Sequence, residues 1–176
     1  IAGDYIKIAP QVNIGLAVAA PYGLVVPVIK NINNISIAEL AQQSAELIEK
    51  AKSNRLAPAD FEGACMTLSN LGMMGIDWFI AIVSPGQSGI ISIGRPQDKL
   101  VVTLQGIKSR KLRAITRAAD HRIVNGDYAA KFLVKVKDLL ENAGQMMQPS
   151  IRWAINRSKI SRSCSKSSSL LHNVTT

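Results

Sequence analysis

Cysteine, acidic side chains and long apolar stretches are all scarce in this chain. Two cysteines among 176 residues, Cys65 in an apolar run and Cys164 in a polar tail, make neither a disulfide framework nor a metal cluster, and they point to a reducing compartment. No apolar run approaches the roughly 18 residues that a membrane span needs. The opening "IAGDYIKIAP" has neither the basic region nor the apolar core of a secretory signal; without an initiator methionine, it reads as the interior of a domain whose start is missing. Acids number 12 against 21 Lys and Arg, a net charge of +9 that at first suggests a polyanionic partner. The excess is local. Residues 144–176 hold Arg152, Arg157, Lys159, Arg162 and Lys166 and no acid, so the remainder carries only +4, which argues against nucleic acid as a partner of the folded part. That tail is Ser-rich and loses helical periodicity, so it is expected to be disordered.

What is present is enough apolar material for one domain: 47% hydrophobic residues and a mean hydropathy of +0.14. "NIGLAVAAPYGLVVPVI" predicts a strand around Asn13–Ala19, a turn at Pro21-Tyr22-Gly23, and a second strand in which Pro27 marks an edge, bulge or crossing point. A helix follows, opened by the capping-box pair Ser36 and Glu39. It is carried by Ile37, Leu40, Ala41, Ser44, Leu47, Ile48 and Ala51 on one face, and Asn54 and Pro58 end it. "GACMTLSNLGMMG", "WFIAIVS", "GIISIGR" and "KLVVTLQGI" are short β-rich runs that predict a substantial sheet, with a last strand near Leu112–Arg117. The closing helix carries Ala129, Phe132, Leu133, Val136, Leu139 and Leu140 on one face. Strands alternating with helices place the chain in the α/β class.

Chemistry is most concentrated in "AADHRIVNGDYAAKFL" (residues 118–133). His121 is one of two histidines and stands between a strand and a helix whose N-cap is Asn125 or Asp127. An imidazole titrates nearest neutrality of all side chains, so one fixed on rigid supports suits a general base. By itself the residue is more simply read as a histidine that packs or caps.

"DHRIVNG" resembles the D-H-R-x-x-[DN]-G signature of the acyltransferase components of 2-oxo acid dehydrogenase complexes. "VNIGLAVAAPYGLVVPVIKNINNISIAELA" resembles the same family's N-I-G-x-A-V, G-L-x-V-P-V and following helix, and "ACMTLSNLGMMGIDWFIAIVSPGQSGIISIG" its S-N-L-G loop and P-x-Q segment. The resemblance runs in order over about residues 4–143, so a catalytic domain over 1–143 and a tail over 144–176 are expected. It implies a two-layer, mixed-sheet fold like chloramphenicol acetyltransferase, and transfer of an acyl group between dihydrolipoamide and coenzyme A. A thiol with an ordinary pKa near 8.5 must lose its proton as it attacks a thioester. In family terms His121 takes that proton, Ser69 donates to the oxyanion, and Asn125 stands where many members carry an Asp that assists. Ser69, Asn70 and Gly94 match the coenzyme A side of the family's channel. Asp120 and Arg122 match neighbours that orient the loop through buried ion pairs.

Several departures and implications follow. Asn125 keeps hydrogen bonds but supplies no charge, Ala19 stands where some members have a polar residue, and no lipoyl domain lies in this chain, so the lipoyl group is to be supplied from elsewhere. "SNLGMMGI" looks more like the pyruvate-specific acetyltransferases than their succinyl or branched-chain relatives. The resemblance further implies a homotrimer with His121 from one subunit and Ser69 from the next, a larger cubic or dodecahedral core, and decarboxylase and dihydrolipoamide dehydrogenase partners. Its place would be the bacterial cytoplasm or the mitochondrial matrix, with no membrane. The alternative is a non-catalytic core or binding component of such a complex.

Overall fold

The computed structural model describes residue 6 and residues 8–146, so the expected tail beyond Met146 lies outside the described residues. Seven strands run β1 (Ile14–Leu16), β2 (Val18–Ala20), β3 (Gly23–Val25), β4 (Val28–Ile29), β5 (Met66–Asn70), β6 (Gly89–Thr103) and β7 (Gly106–Ala119). The helices are α1 (Ile37–Lys52), α2 (Gly126–Glu141) and the short α3 (Ala143–Met146). Five strands form one mixed sheet in the order β4-β1-β5-β6-β7, with β1-β5 and β5-β6 parallel and the two outer pairs antiparallel. This agrees with the mixed α/β architecture expected.

The N-terminal strands are finer-grained than the sequence suggests. The expected strand over Asn13–Ala19 is broken at Ala17: β1 joins the main sheet, while β2 pairs only with β3 in a two-stranded ribbon. Pro27 is the crossing point, fully buried between β3 and β4, with its carbonyl accepting from the Leu16 N–H at 2.8 Å. A proline suits that place because it has no N–H to leave unpaired as the chain changes sheets.

Helix α1 matches the expectation closely. The Ser36 hydroxyl accepts from the Glu39 N–H at 3.2 Å and the Glu39 carboxylate accepts from the Ser36 N–H at 2.7 Å, satisfying two N–H groups that the helix itself leaves free. Beyond Ser53, Asn54 takes a left-handed φ of 55°, which stops the helix. α1 packs on β2 and β4, and the Tyr22 hydroxyl donates to the Ala51 carbonyl at 2.5 Å.

Two expectations about the sheet need correction. "WFIAIVS" is not a strand: residues 78–84 cross the sheet as irregular chain, and their polar groups go to side chains instead of a ladder. The Ala81 N–H donates to the buried Ser92 hydroxyl at 3.2 Å, and the Thr116 hydroxyl donates to the Phe79 carbonyl at 2.5 Å. Thr67, 1% exposed, donates to Gln87 Oε1 at 2.6 Å where the crossing ends. "GIISIGR" and "KLVVTLQGI", in turn, are two parts of one hairpin, since β6 runs unbroken through Pro96 by way of a bulge between Ile93 and Pro96. The last strand likewise extends to 106–119.

The core of a single chain is small. Its buried apolar side chains include Val18, Val28, Ile29, Ala51, Ile90 and Val124, while Leu100, Val102, Leu104 and Ile107 on the outer half of the β6–β7 hairpin stand in solvent. The expected face of α2 is only half-buried, and Leu140 is exposed. Arg117, on β7, lies under that face with its guanidinium 4.4 Å from the centre of the Phe132 ring.

Gly94 does not end a strand, as the sequence suggests, but sits inside β6 beneath the crossing segment. A Cβ there would stand 1.8 Å from the Asp77 carbonyl oxygen. Gly94→Ala must therefore displace residues 76–78, and is expected to cost about 1–3 kcal/mol in urea unfolding; a loss under ~0.5 kcal/mol would show that the crossing segment is not pinned there.

Candidate active site

Strand β7 ends at Ala119 and delivers the chain into a tight turn that carries His121. The Val124 and Ile123 N–H groups donate to the Asp120 carbonyl at 3.0 and 3.1 Å, and the Asp120 N–H donates to the Ser88 carbonyl at 3.1 Å, tying the turn to the start of β6. Of the two cap candidates, Asn125 fills the role: its Oδ1 accepts from the Tyr128 N–H at 2.8 Å and starts α2. His121 itself is exposed.

The Asp120–Arg122 pair is bidentate but not buried, a correction to the expectation. Arg122 Nε donates to Asp120 Oδ1 at 2.9 Å and Nη2 to Oδ2 at 2.7 Å, with the Arg122 side chain 73% exposed and that of Asp120 17%. Two residues apart in a turn, the partners are brought together by local geometry without a protein wall around them. The fork lowers the Asp120 carboxyl to about 2, chiefly through the side-chain bonds from Arg122 and then the Arg122 N–H.

Ser69 lies at the other end of the sheet. It is half-buried, one residue short of the end of β5, and in register with Ser92 on β6, which is in register with Thr116 on β7. Asn70 closes the strand, and its Oδ1 accepts from the Gly72 N–H at 3.0 Å, which shapes the Ser-Asn-Leu-Gly turn. Gly94 is close by, with its carbonyl oxygen 2.7 Å from where a Gly72 Cβ would be.

The fold therefore groups the expected residues in two sets. Ser69, Asn70 and Gly94 gather at one end of the sheet, and His121 and Asn125 gather at the other. From the shared rung at Thr116, His121 is five residues along and two strands across. At about 3.3 Å per residue and 4.8 Å per strand, that is roughly 15–20 Å, far beyond proton-transfer reach within one chain. Nothing in the local sequence marks the residues that hold Ser69's face in place, namely Thr67, Gln87, Ser92 and Thr116. Thr67, Ser92 and Thr116 are isolated hydroxyls on strands, a common pattern that becomes meaningful only once the crossing segment that carries Gln87 is seen above them.

Residues 2–148 match the family of 2-oxoacid dehydrogenases acyltransferase (catalytic domain). The chain is 40% identical over 144 residues to the dihydrolipoyllysine-residue acetyltransferase component of the pyruvate dehydrogenase complex of Rickettsia felis, covering 82% of this chain and 35% of that protein. It thus spans about a third of the length of the curated relatives it matches. Among solved structures, the dihydrolipoamide acetyltransferase of Azotobacter vinelandii superposes with a TM-score of 0.78 at 34% identity, over 83% of this chain and 60% of that one. That structure concerns the catalytic role of a serine, a histidine and an asparagine spaced 52 and 4 residues apart. The cubic core of a pyruvate dehydrogenase multienzyme complex gives a TM-score of 0.75 at 35% identity, over 80% of this chain and 58% of that one.

The turn has its own test. Because Asp120 is held below its ordinary value of about 3.9, the stability that its pairing contributes is complete above about pH 4 and is lost as pH falls through about 2. A carboxyl NMR titration should place Asp120 near 2, and Arg122→Gln should return it toward the ordinary range. A parental midpoint near 4 would mean that the fork does not persist in solution.

Proposed function

Because the chain belongs to the family of 2-oxoacid dehydrogenase acyltransferase catalytic domains, we propose that it transfers an acyl group, acetyl first among candidates, between coenzyme A and dihydrolipoamide. The observation that carries this reading is the trio Ser69, His121 and Asn125, which repeats the residue types and the separations of 52 and 4 residues found in the Azotobacter acetyltransferase. Coenzyme A supplies the thiol or thioester; the protein's own residues supply position, a base and a hydrogen-bond donor. His121, exposed on a turn fixed at both ends, takes the proton from the attacking thiol and gives it to the departing thiolate as the tetrahedral intermediate collapses. Ser69 donates a hydrogen bond from its hydroxyl to the thioester oxygen as negative charge builds there. Asn125 acts at one remove: by capping α2 it holds the C-terminal end of the His121 turn, and no carboxylate stands at that position.

Separation of the two sets within one chain supports a site shared between copies, with His121 from one subunit against Ser69 of the next. In a homotrimer, the assembly the family resemblance implies, every subunit gives one set and receives the other, and the exposed Leu100, Val102, Leu104 and Ile107 supply apolar surface for such contacts. Likeness to a cubic core supports assembly of such units into a larger particle. In that setting a lipoyl domain presents dihydrolipoamide, with decarboxylase and dihydrolipoamide dehydrogenase components as partners, in a bacterial cytoplasm or a mitochondrial matrix.

His121→Ala should slow acetyl transfer from acetyl-coenzyme A to dihydrolipoamide at least ~100-fold at unchanged particle mass, the scale of general acid–base help. Ser69→Ala should lower turnover by roughly 100- to 1,000-fold, because its donor acts on charge present only in the transition state. Parental rates in the His121 variant would leave the chain a non-catalytic core component.

A further inference from the structure

The step Asn125-Gly126 carries a second kind of chemistry, and it is the one Asn-Gly pair in the chain. An asparagine side-chain amide is an electrophile, and the backbone nitrogen of the next residue can reach its Cγ to close a five-membered ring. Glycine obstructs that approach least, having no side chain of its own and the widest choice of backbone angles. Both residues are exposed, and a Cβ built on Gly126 would meet no atom within 4 Å. The space in which the ring closes is open.

Hydrogen bonding adds the second argument. Gly126 is the first residue of α2, so its N–H has no acceptor within the helix, and it donates to no group among the described residues. Its proton can leave without breaking a bond of the fold. The Tyr128 N–H, by contrast, donates to Asn125 Oδ1 at 2.8 Å. In the resting protein that contact is a cap, but once a nucleophile adds to Cγ the same N–H faces the oxygen on which negative charge builds. Asn125 Nδ2, the leaving group, is held by no hydrogen bond among the described residues. Closing the ring requires the Asn125 ψ to turn away from 164°, and an exposed first turn is where a helix opens most readily.

We propose that Asn125 is a site of self-modification and deamidates in the folded protein. The Gly126 nitrogen loses its proton to hydroxide and bonds to Asn125 Cγ; the Cγ–Nδ2 bond then breaks, and the amide nitrogen leaves as ammonia with a proton from water. Water opens the resulting cyclic imide at either carbonyl, so the sum is one water taken up and one ammonia released, with nothing oxidised or reduced. One product is aspartate in the normal chain. It caps a helix as asparagine does and brings a negative charge to an end where the helix macrodipole favours one. The other is isoaspartate, whose backbone runs through the side chain and is longer by one carbon between the His121 turn and α2, which displaces the cap. A position that begins neutral thus ends charged, beside the turn that carries His121.

The test holds the full chain at mildly alkaline pH, with circular dichroism to verify that it stays folded, and follows the tryptic peptide of residues 123–131 by mass spectrometry. A mass gain that replaces NH2 by OH at residue 125 is expected, ahead of every other asparagine, with fragmentation that separates aspartate from isoaspartate. The gain should slow at mildly acidic pH, where hydroxide is scarce. Gly126→Ala has room for its methyl group, so it keeps the fold. It should slow the gain at least ~10-fold, because the methyl group obstructs ring closure and narrows the backbone angles. A folded chain in which residue 125 remains asparagine while other asparagines convert, or a gain equally fast in Gly126→Ala, overturns the proposal. Because the readout is a mass, the result does not depend on the acyltransferase reading, which the transfer rate of the fresh chain tests separately.

Discussion

In-register pairing of β5, β6 and β7 is the constraint on which the remaining arrangement depends. Ser69, Ser92 and Thr116 share one rung, so wherever Ser69 is placed, the end of β7 that leads into His121 is placed five residues away at the opposite end of the sheet. A slip of the register by one residue would turn Ser69 to the other face and leave Thr67 and Ser92 facing the wrong layer. The same rigidity that fixes each catalytic candidate thus keeps the two apart in a single chain. It also leaves a lone subunit with a modest core and an apolar hairpin in solvent, both of which association would remedy.

The crossing segment over residues 76–87 gives that sheet its second layer without a helix or strand. Hydroxyls on the sheet do what a ladder would otherwise do: Ser92 accepts, while Thr67 and Thr116 donate. Each such bond contributes only about 1 kcal/mol, but an orphaned buried partner would cost about 1–3 kcal/mol, so the set is more constraining than its sum suggests. Gly94 belongs to the same device, because only a residue without a side chain lets the backbone of Asp77 come so close. A cleft walled by Asp77, Trp78, Gln97 and Leu112 lies where the segment meets the hairpin. Site and cover are therefore one construction.

Much of this was legible in the sequence where local chemistry decides the outcome. The capping box at Ser36 and Glu39, the stop at Asn54, the crossing at Pro27 and the cap at Asn125 all follow from residues acting on their own neighbours. "WFIAIVS" was misleading because β-propensity reports fit to a pleated surface, and here the same residues lie across a sheet instead of within it. Pro96 made one hairpin look like two strands, since the bulge that absorbs it depends on pairing with β7. The Asp120–Arg122 fork was foreseen as a pair but not as an exposed one, because burial comes from elements distant in sequence. His121 and Ser69 were legible as a chemical pair through their family likeness; their separation within one chain became visible only from the register.

The most direct test of a shared site is complementation. His121→Ala and Ser69→Ala chains, each nearly inactive, are unfolded, mixed in equal amounts and reassembled, and acetyl transfer is measured on particles of parental mass. With random mixing, about one interface in four receives an intact His121 from one chain and an intact Ser69 from the next, so activity should return to about a quarter of the parental value. Mixed particles no more active than the two variants assembled separately would show that Ser69 and His121 do not meet across an interface, and would contradict the account.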